Sequence, residues 1–272
     1  MPELRPHDPR LVARQIATEL GLTGPSDVDL DRIAKAKSIE IELGDLDGAM
    51  ASVMRIGNTV RIRVSARLLD LGARRFSIAH ELGHLWLGHE IADRDARDVI
   101  ERLCTPLRAT RKPLERNASV FATEFLMQEA WVKPYCMGEQ VTLAPVRAIA
   151  DAFTCSMLAS ANRLVELSPR RCAVVCCELG RVRWFKRSPT FPAWIPKGRR
   201  IDPASIAYEY HERGVIDPHA RAMNATIWLP PHRVDGSFVE IVEHAIVIPE
   251  LGVVASLLWI PERDAGHLDL AA

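Results

Sequence analysis

The spacing of apolar residues changes period several times along the chain. Leu11 to Leu20 repeats apolar residues at helical intervals and runs into Gly21-Leu22-Thr23-Gly24-Pro25, a break. Asp29 to Lys37 predicts a second short helix, with Asp27 as its cap. The period then drops to two. Ile39-Glu40-Ile41-Glu42-Leu43 alternates as a half-buried strand does, and Ala49–Arg55 and Val60–Val64 flank Ile56-Gly57-Asn58 as a hairpin. Helical spacing returns with Phe76, Ala79, Leu82, Gly83 and Trp86, and Gly88 reads as the stop. After a polar stretch, Leu114, Ala118, Phe121, Ala122, Phe125 and Leu126 fall on one face of another helix.

The second half of the chain reads differently. Val146, Ile149, Ala150 and Phe153 predict one helix, Thr154-Cys155-Ser156 a tight turn, and Leu158, Ala161, Leu164, Val165 and Leu167 a second helix with Ser156 as its N-cap. This pair resembles a helix-turn-helix, although a structural helix pair is the simpler account. Cys172–Arg187 splits into two strands around Glu178-Leu179-Gly180. Ala225–Leu229, Phe238–Ile248 and Val253–Ile260 add strands, with Pro249–Gly252 as a turn. Trp184, Trp194, Trp228 and Trp259 are expected in the core of this region. The fold class is therefore α+β, in three parts: residues 1–130, a helical segment over 131–168, and a second α+β domain over 169–272.

Composition alters this picture little. At 272 residues the chain can bury several cores, and its apolar and charged fractions are those of a globular protein. No signal-peptide pattern opens it and no apolar run is long enough to span a bilayer, so a cytoplasmic location with no membrane contact is expected. The six cysteines include no CxxC pair, which argues for reduced thiols and against a second zinc site. The net charge of zero hides an asymmetry. Arg163 to Arg200 holds ten Lys/Arg against two acids, whereas 201–272 is acidic. The basic 163–200 segment offers DNA a contact, with Arg163 the one basic residue of the second helix placed to serve it; an ordinary solvated face explains the same excess.

The chemistry concentrates in His80-Glu81-Leu82-Gly83-His84. Two histidines four residues apart leave one helical face together and reach a single metal ion, while Glu81 can touch a water held there without being a ligand. That is the arrangement of a zinc peptidase. Such a site needs a third ligand, and no histidine follows at the spacing of the longer HExxHxxGxxH motif, because position 87 is Leu and position 90 is Glu. Glu115 is the best candidate. It shares the Ala118 and Ala122 side of its helix, where a carboxylate is unusual unless paired or metal-bound, whereas Glu124 points elsewhere. A helix-start glutamate favoured by the macrodipole is the plainer explanation of Glu115. Glu90, Asp93, Asp95 and Glu101 compete weakly. Gly83 costs helix stability and suits a place where another backbone or the metal site comes close. Arg74 and Arg75 are either solvated or aimed at something anionic. His89 reads equally well as a surface residue past the helix end or as a helper at the site.

These residues resemble the ImmA/IrrE family of metallopeptidases. Arg75-Phe76-Ser77-Ile78-Ala79-His80-Glu81-Leu82-Gly83-His84 is similar to the family's RFTxAHELGH, and Glu115–Gln128 to its ExxAxxFAxxLLMP helix, with Ser77, Phe125 and Gln128 as departures. The resemblance implies a zincin-like peptidase domain, a helix-turn-helix-like segment and a GAF-like C-terminal domain. It implies His80, His84 and Glu115 as ligands of Zn²⁺, with Mn²⁺ and Fe²⁺ also acceptable to such a set, and Glu81 as catalytic base. It further implies a helix-turn-helix transcriptional repressor as substrate, cut so that stress-response or mobile-element genes are released. The competing expectation is a regulator that binds DNA or sequesters a repressor, as a toxin–antitoxin component does, without proteolysis.

Overall fold

Asp8 opens the first helix by accepting a hydrogen bond from Arg10 N–H at 3.0 Å, and Pro9 supplies a preset first turn. The structure is a computed structural model that describes residues 8–46, 49–93, 108–216, 218–230, 238–249 and 252–267. The chain divides into two compact units. One comprises residues 1–131 and 151–156, the other 132–150 and 157–272.

The first unit begins with α1 (Pro9–Glu19) and α2 (Leu30–Ala36). Asp29, not the expected Asp27, caps α2 through Arg32 N–H. Asp27 instead closes the preceding turn by accepting from Thr23 and Gly24, because a carboxylate two residues earlier meets those donors first. The strands β1 (Ile39–Gly44), β2 (Ala51–Ile56) and β3 (Thr59–Ser65) follow, then α3 (Leu71–Trp86), the two-residue β4 (Ala92–Asp93), α4 (Arg108–Leu126) and the one-turn α5 (Glu129–Val132). The sheet order is β1-β3-β2-β4, with β2 antiparallel to β3 and β1 parallel to it. On its other side β2 pairs with β4 only at Met54 and Arg55. Arg61 and Arg63 of β3 lie against Glu40 and Glu42 of β1, so the exposed sheet face is covered by cross-strand ion pairs.

Helix α4 packs on α3 along Ala118, Phe121, Ala122 and Phe125, all fully buried. Glu124 is buried as well, but on the side of α4 that meets α1, where Arg14 Nε donates to it at 2.7 Å. A buried carboxylate survives there because a guanidinium compensates it.

The second unit takes in most of α6 (Leu143–Phe153) and all of α7 (Met157–Leu167). It continues with β5 (Cys172–Glu178), β6 (Arg181–Arg187), α8 (Ile206–Arg213), β7 (Arg221–Asn224), β8 (Glu240–Ile248) and β9 (Val253–Trp259). These strands form an antiparallel sheet of order β6-β5-β9-β8-β7. The strand expected at Ala225–Leu229 is instead a 3-10 turn capped by Asn224, and the pairing strand lies just before it. Glu243 is fully buried and accepts from the Ile206 and Ala207 N–H groups, Trp228 Nε1 and Ser256 Oγ, which fastens the start of α8 to the sheet. Trp228 is core, but Trp194, expected there too, is 66% exposed and meets Phe185 edge-on.

Arg163 is also not where the sequence placed it. It lies fully buried in the middle of α7, with Glu166 at 3.2 Å, rather than on an outward face. No helix of the described residues is long and apolar enough to cross a membrane.

Residues 154–156, the turn after α6, sit on the first turn of α3 at Gly72, where a Cβ would fall 2.4 Å from Ser156 N and 2.6 Å from Cys155 C. Replacing Gly72 by alanine therefore forces backbone apart. The expected cost is about 1–3 kcal/mol, read as a Tm several degrees lower; an unchanged Tm would mean the turn is free to move.

Candidate metal centre

Helix α3 is begun by Asp70, which accepts from Ala73 N–H at 2.6 Å, and its apolar side buries Ile78, Ala79 and Leu82 against the unit's core. Leu82 and Ala79 thus fix the rotation of the helix, and that rotation sends His80 and His84 out together. Their Nε2 atoms lie 3.1 Å apart. Glu115, on the α4 turn opposite, brings its Oε2 within 3.1 Å of His80 Nε2 and 3.6 Å of His84 Nε2.

What brings these helices so close is Gly83. A Cβ there would fall 3.0 Å from Phe121 Cδ1 and 3.2 Å from Ala118 O, so α4 rests directly on the α3 backbone one turn from Glu115. Phe121 is fully buried, its ring stacked on Phe125 and tilted against Trp86, so it has little room to yield.

The donor set fits a divalent metal. A tetrahedron with ligand bonds of about 2.05 Å has edges of about 3.3 Å, and the three observed separations of 3.1, 3.1 and 3.6 Å bracket that length. Among the described residues these three are the one His/Cys/Asp/Glu group whose ligand atoms all lie within 4.8 Å of one another. Burial, then the neighbouring His80, pushes His84 down to about 4, so its ring is neutral and offers a lone pair well below pH 7.

The facing rule that points to Glu115 holds only in part. Glu115 does share a side with Ala118 and Ala122, but its carboxylate is half-exposed at the mouth of the site, beyond the packed length of the interface. The buried carboxylate of α4 is Glu124, answered by Arg14. Glu90 lines the same cleft, Asp93 contributes backbone to β4, and Asp95 and Glu101 lie outside the described residues. Arg74 and Arg75 reach backbone carbonyls of Leu68 and Val28.

Glu81 faces a cleft of about 290 Å³ shared by His84, Glu115, Leu114 and the β2 residues Ala51–Met54. Burial, then the charge of Glu115, raises its carboxyl from 4.5 to about 7, while a hydrogen bond from Val53 N–H opposes the rise. Val53 was not legible beforehand, since a backbone donor leaves no mark in a side-chain motif. Ser119 was missed too. It stands one turn after Glu115 on α4, and its Oγ lies 3.2 Å from His80 Nδ1.

Residues 34–165 match the family model Peptidase_M78, the IrrE N-terminal-like domain. This segment is similar to a Peptidase_M78 domain. The matched segment contains α3, α4, the sheet of the first unit and the whole candidate centre. The family is one of metallopeptidases, which agrees with a metal in the His-His-Glu cluster. Among solved structures, a Mycobacterium tuberculosis transcriptional regulator is similar over 98% of this chain and 92% of its own, with a TM-score of 0.59 and 18% identity, a likeness of fold. No curated protein matches the chain.

Because the folded state raises the Glu81 pKa, the neutral carboxyl contributes stability that is complete below about 4.5 and lost as pH rises to about 7. That loss is on the order of 3 kcal/mol. Glu81→Gln should therefore raise the Tm of chelator-stripped protein at pH 8 by several degrees but not at pH 4.5; equal melting at both pH values would contradict the burial argument. Gly83→Ala should weaken zinc binding at least several-fold, because the added methyl spreads the two helices, and chelator competition measures this directly.

Proposed function

We propose that the protein is a zinc-dependent, site-specific endopeptidase whose substrate is a helix-turn-helix transcriptional repressor, and that cleavage releases stress-response or mobile-element genes. The observation that carries the peptidase part is the position of Glu81. It stands beside the His80–His84–Glu115 set without belonging to it, held by Val53 N–H in a cleft that runs along a strand. A site that only held metal for stability would have no use for such a carboxylate.

His80, His84 and Glu115 would hold the metal, for which Zn²⁺ suits the donors best and Mn²⁺ or Fe²⁺ are acceptable. A bound divalent ion supplies Lewis acidity to the scissile carbonyl and a water made acidic near neutral pH. Glu81 accepts a proton from the attacking water and returns it to the leaving amine. Val53 N–H orients that carboxylate. Ala51, Ser52 and Val53 have no strand partner on the cleft side among the described residues, so a substrate in extended form can add to β2 by backbone pairing.

The repressor as substrate rests on the resemblance of the two motifs to the ImmA/IrrE family. In this reading the antiparallel sheet with α8 serves as a GAF-like sensory domain, and the α6–α7 pair is the helix-turn-helix-like segment. The description of the M. tuberculosis structure as a transcriptional regulator favours a second reading, a regulator that sequesters a repressor or contacts DNA without cutting. Contact with DNA would fall to the 163–200 segment. Its bases are largely engaged within the unit: Arg163 is buried, Lys186 pairs with Glu166, Arg171 with Glu262, and Arg199 donates to the Ile227 and Trp228 carbonyls.

The test is to incubate the zinc-loaded protein with the product of a neighbouring repressor gene and follow fragments by mass spectrometry. A single cut is expected, slowed at least about 100-fold by Glu81→Gln, while the variant retains zinc. An intact repressor in a stable complex, unaffected by the substitution, would replace this reading with the second.

A further inference from the structure

The end of α3 does more than stop the helix. Gly88 takes a left-handed φ of 69°, Gly88 N–H donates to Leu85 O at 3.2 Å, and His89 N–H donates back to His84 O at 3.0 Å. This pair of reversed bonds is the Schellman arrangement, and it folds the residue after the glycine over the last turn. Here that residue is His89. Its ring meets the His84 ring edge-on with centroids 4.9 Å apart, and the two Nδ1 atoms lie 2.9 Å from each other.

The contact has a definite chemical sense. His84 Nε2 faces His80 Nε2 and Glu115, so a metal there takes the Nε2 lone pair and leaves the proton on Nδ1. That proton needs an acceptor, and His89 Nδ1 is the atom in place. His80 is served in the same way at its own Nδ1, by Ser119 Oγ at 3.2 Å. A hydrogen bond at the far nitrogen of a metal-ligating histidine fixes both its tautomer and its ring orientation.

We propose that His89 is a positioning residue for the metal centre: it accepts the Nδ1 proton of His84 and so holds that ring with Nε2 turned to the metal. The proposal rests on the metal-site reading above but not on peptidase activity, and zinc affinity separates the two. It requires His89 to be neutral with its own proton on Nε2, and the sense of donation is from His84 to His89.

The variants are His89→Ala, His89→Leu and His89→Asn, made in the full-length protein. Asparagine places an oxygen near the position of Nδ1, whereas leucine keeps bulk without an acceptor. Zinc affinity is measured by competition with a chromogenic chelator, and the His84 tautomer by ¹⁵N shifts of the imidazole nitrogens in zinc-loaded protein. The expected result is a 10–100-fold loss of affinity in His89→Ala and His89→Leu, substantial recovery in His89→Asn, and a wild-type His84 with its proton on Nδ1. Wild-type affinity in His89→Leu would overturn the proposal. So would an equal loss in all three variants, since that is the mark of a damaged helix end rather than a missing acceptor. If the wild-type chain binds no zinc, the metal-site reading itself fails; if zinc behaves as expected but no peptide is cut, only the peptidase reading does.

Discussion

The close crossing of α3 and α4 at Gly83 governs the rest of the first unit. The two helices approach to the point where Ala118 O and Phe121 rest against a backbone without a side chain. Only at that separation does Glu115 reach His80 and His84, since a carboxylate side chain spans too little to close a wider gap. The price in helix propensity, about 1 kcal/mol for glycine against alanine, is offset by the burial of Phe121, Phe125 and Leu82, each worth roughly 1.5–3 kcal/mol. Packing thus brings the three polar ligands together.

Around this crossing the site places two ionisable groups at odds with water. His84 is held neutral and Glu81 is held near pH 7, both chiefly by burial. The first suits a ligand, which must present a lone pair, and the second suits a base that has to give its proton back. The Glu81 shift costs stability as pH rises above about 4.5, and the His84 shift as pH falls below about 6.5. Strand β2 supplies the partial remedy, one backbone N–H at Val53, and the same strand forms the wall of the cleft. Structure that supports the base therefore also shapes what can enter.

The parts legible in the sequence were those fixed by period. The spacing of Phe76, Ala79, Leu82 and Trp86 set which way His80 and His84 leave the helix, and the alternation in 39–64 marked the sheet. Other features depend on contacts that no period encodes. Helix α8 was missed because Ile206–Arg213 is two turns long and owes its place to Glu243, thirty or more positions later, capping it from the sheet. Arg163 looked like an outward base because charge alone was visible; the Glu166 that receives it, and the packing that covers it, are tertiary facts. His89 lay beyond the end of the periodic reading, and the reversed turn at Gly88 is what returns it to the site. The facing rule selected Glu115 while mistaking its burial, since position along α4 matters as much as angle around it.

The chemistry of the site rests on His80, His84 and Glu115 acting on one metal ion. X-ray absorption at the zinc edge of the loaded protein tests that most directly, with Glu115→Ala beside it. The predicted spectrum has two imidazole nitrogens and carboxylate oxygen at about 2.0–2.1 Å, and a changed oxygen shell in the variant. Sulfur scattering at about 2.3 Å, or a spectrum indifferent to the loss of Glu115, would contradict it.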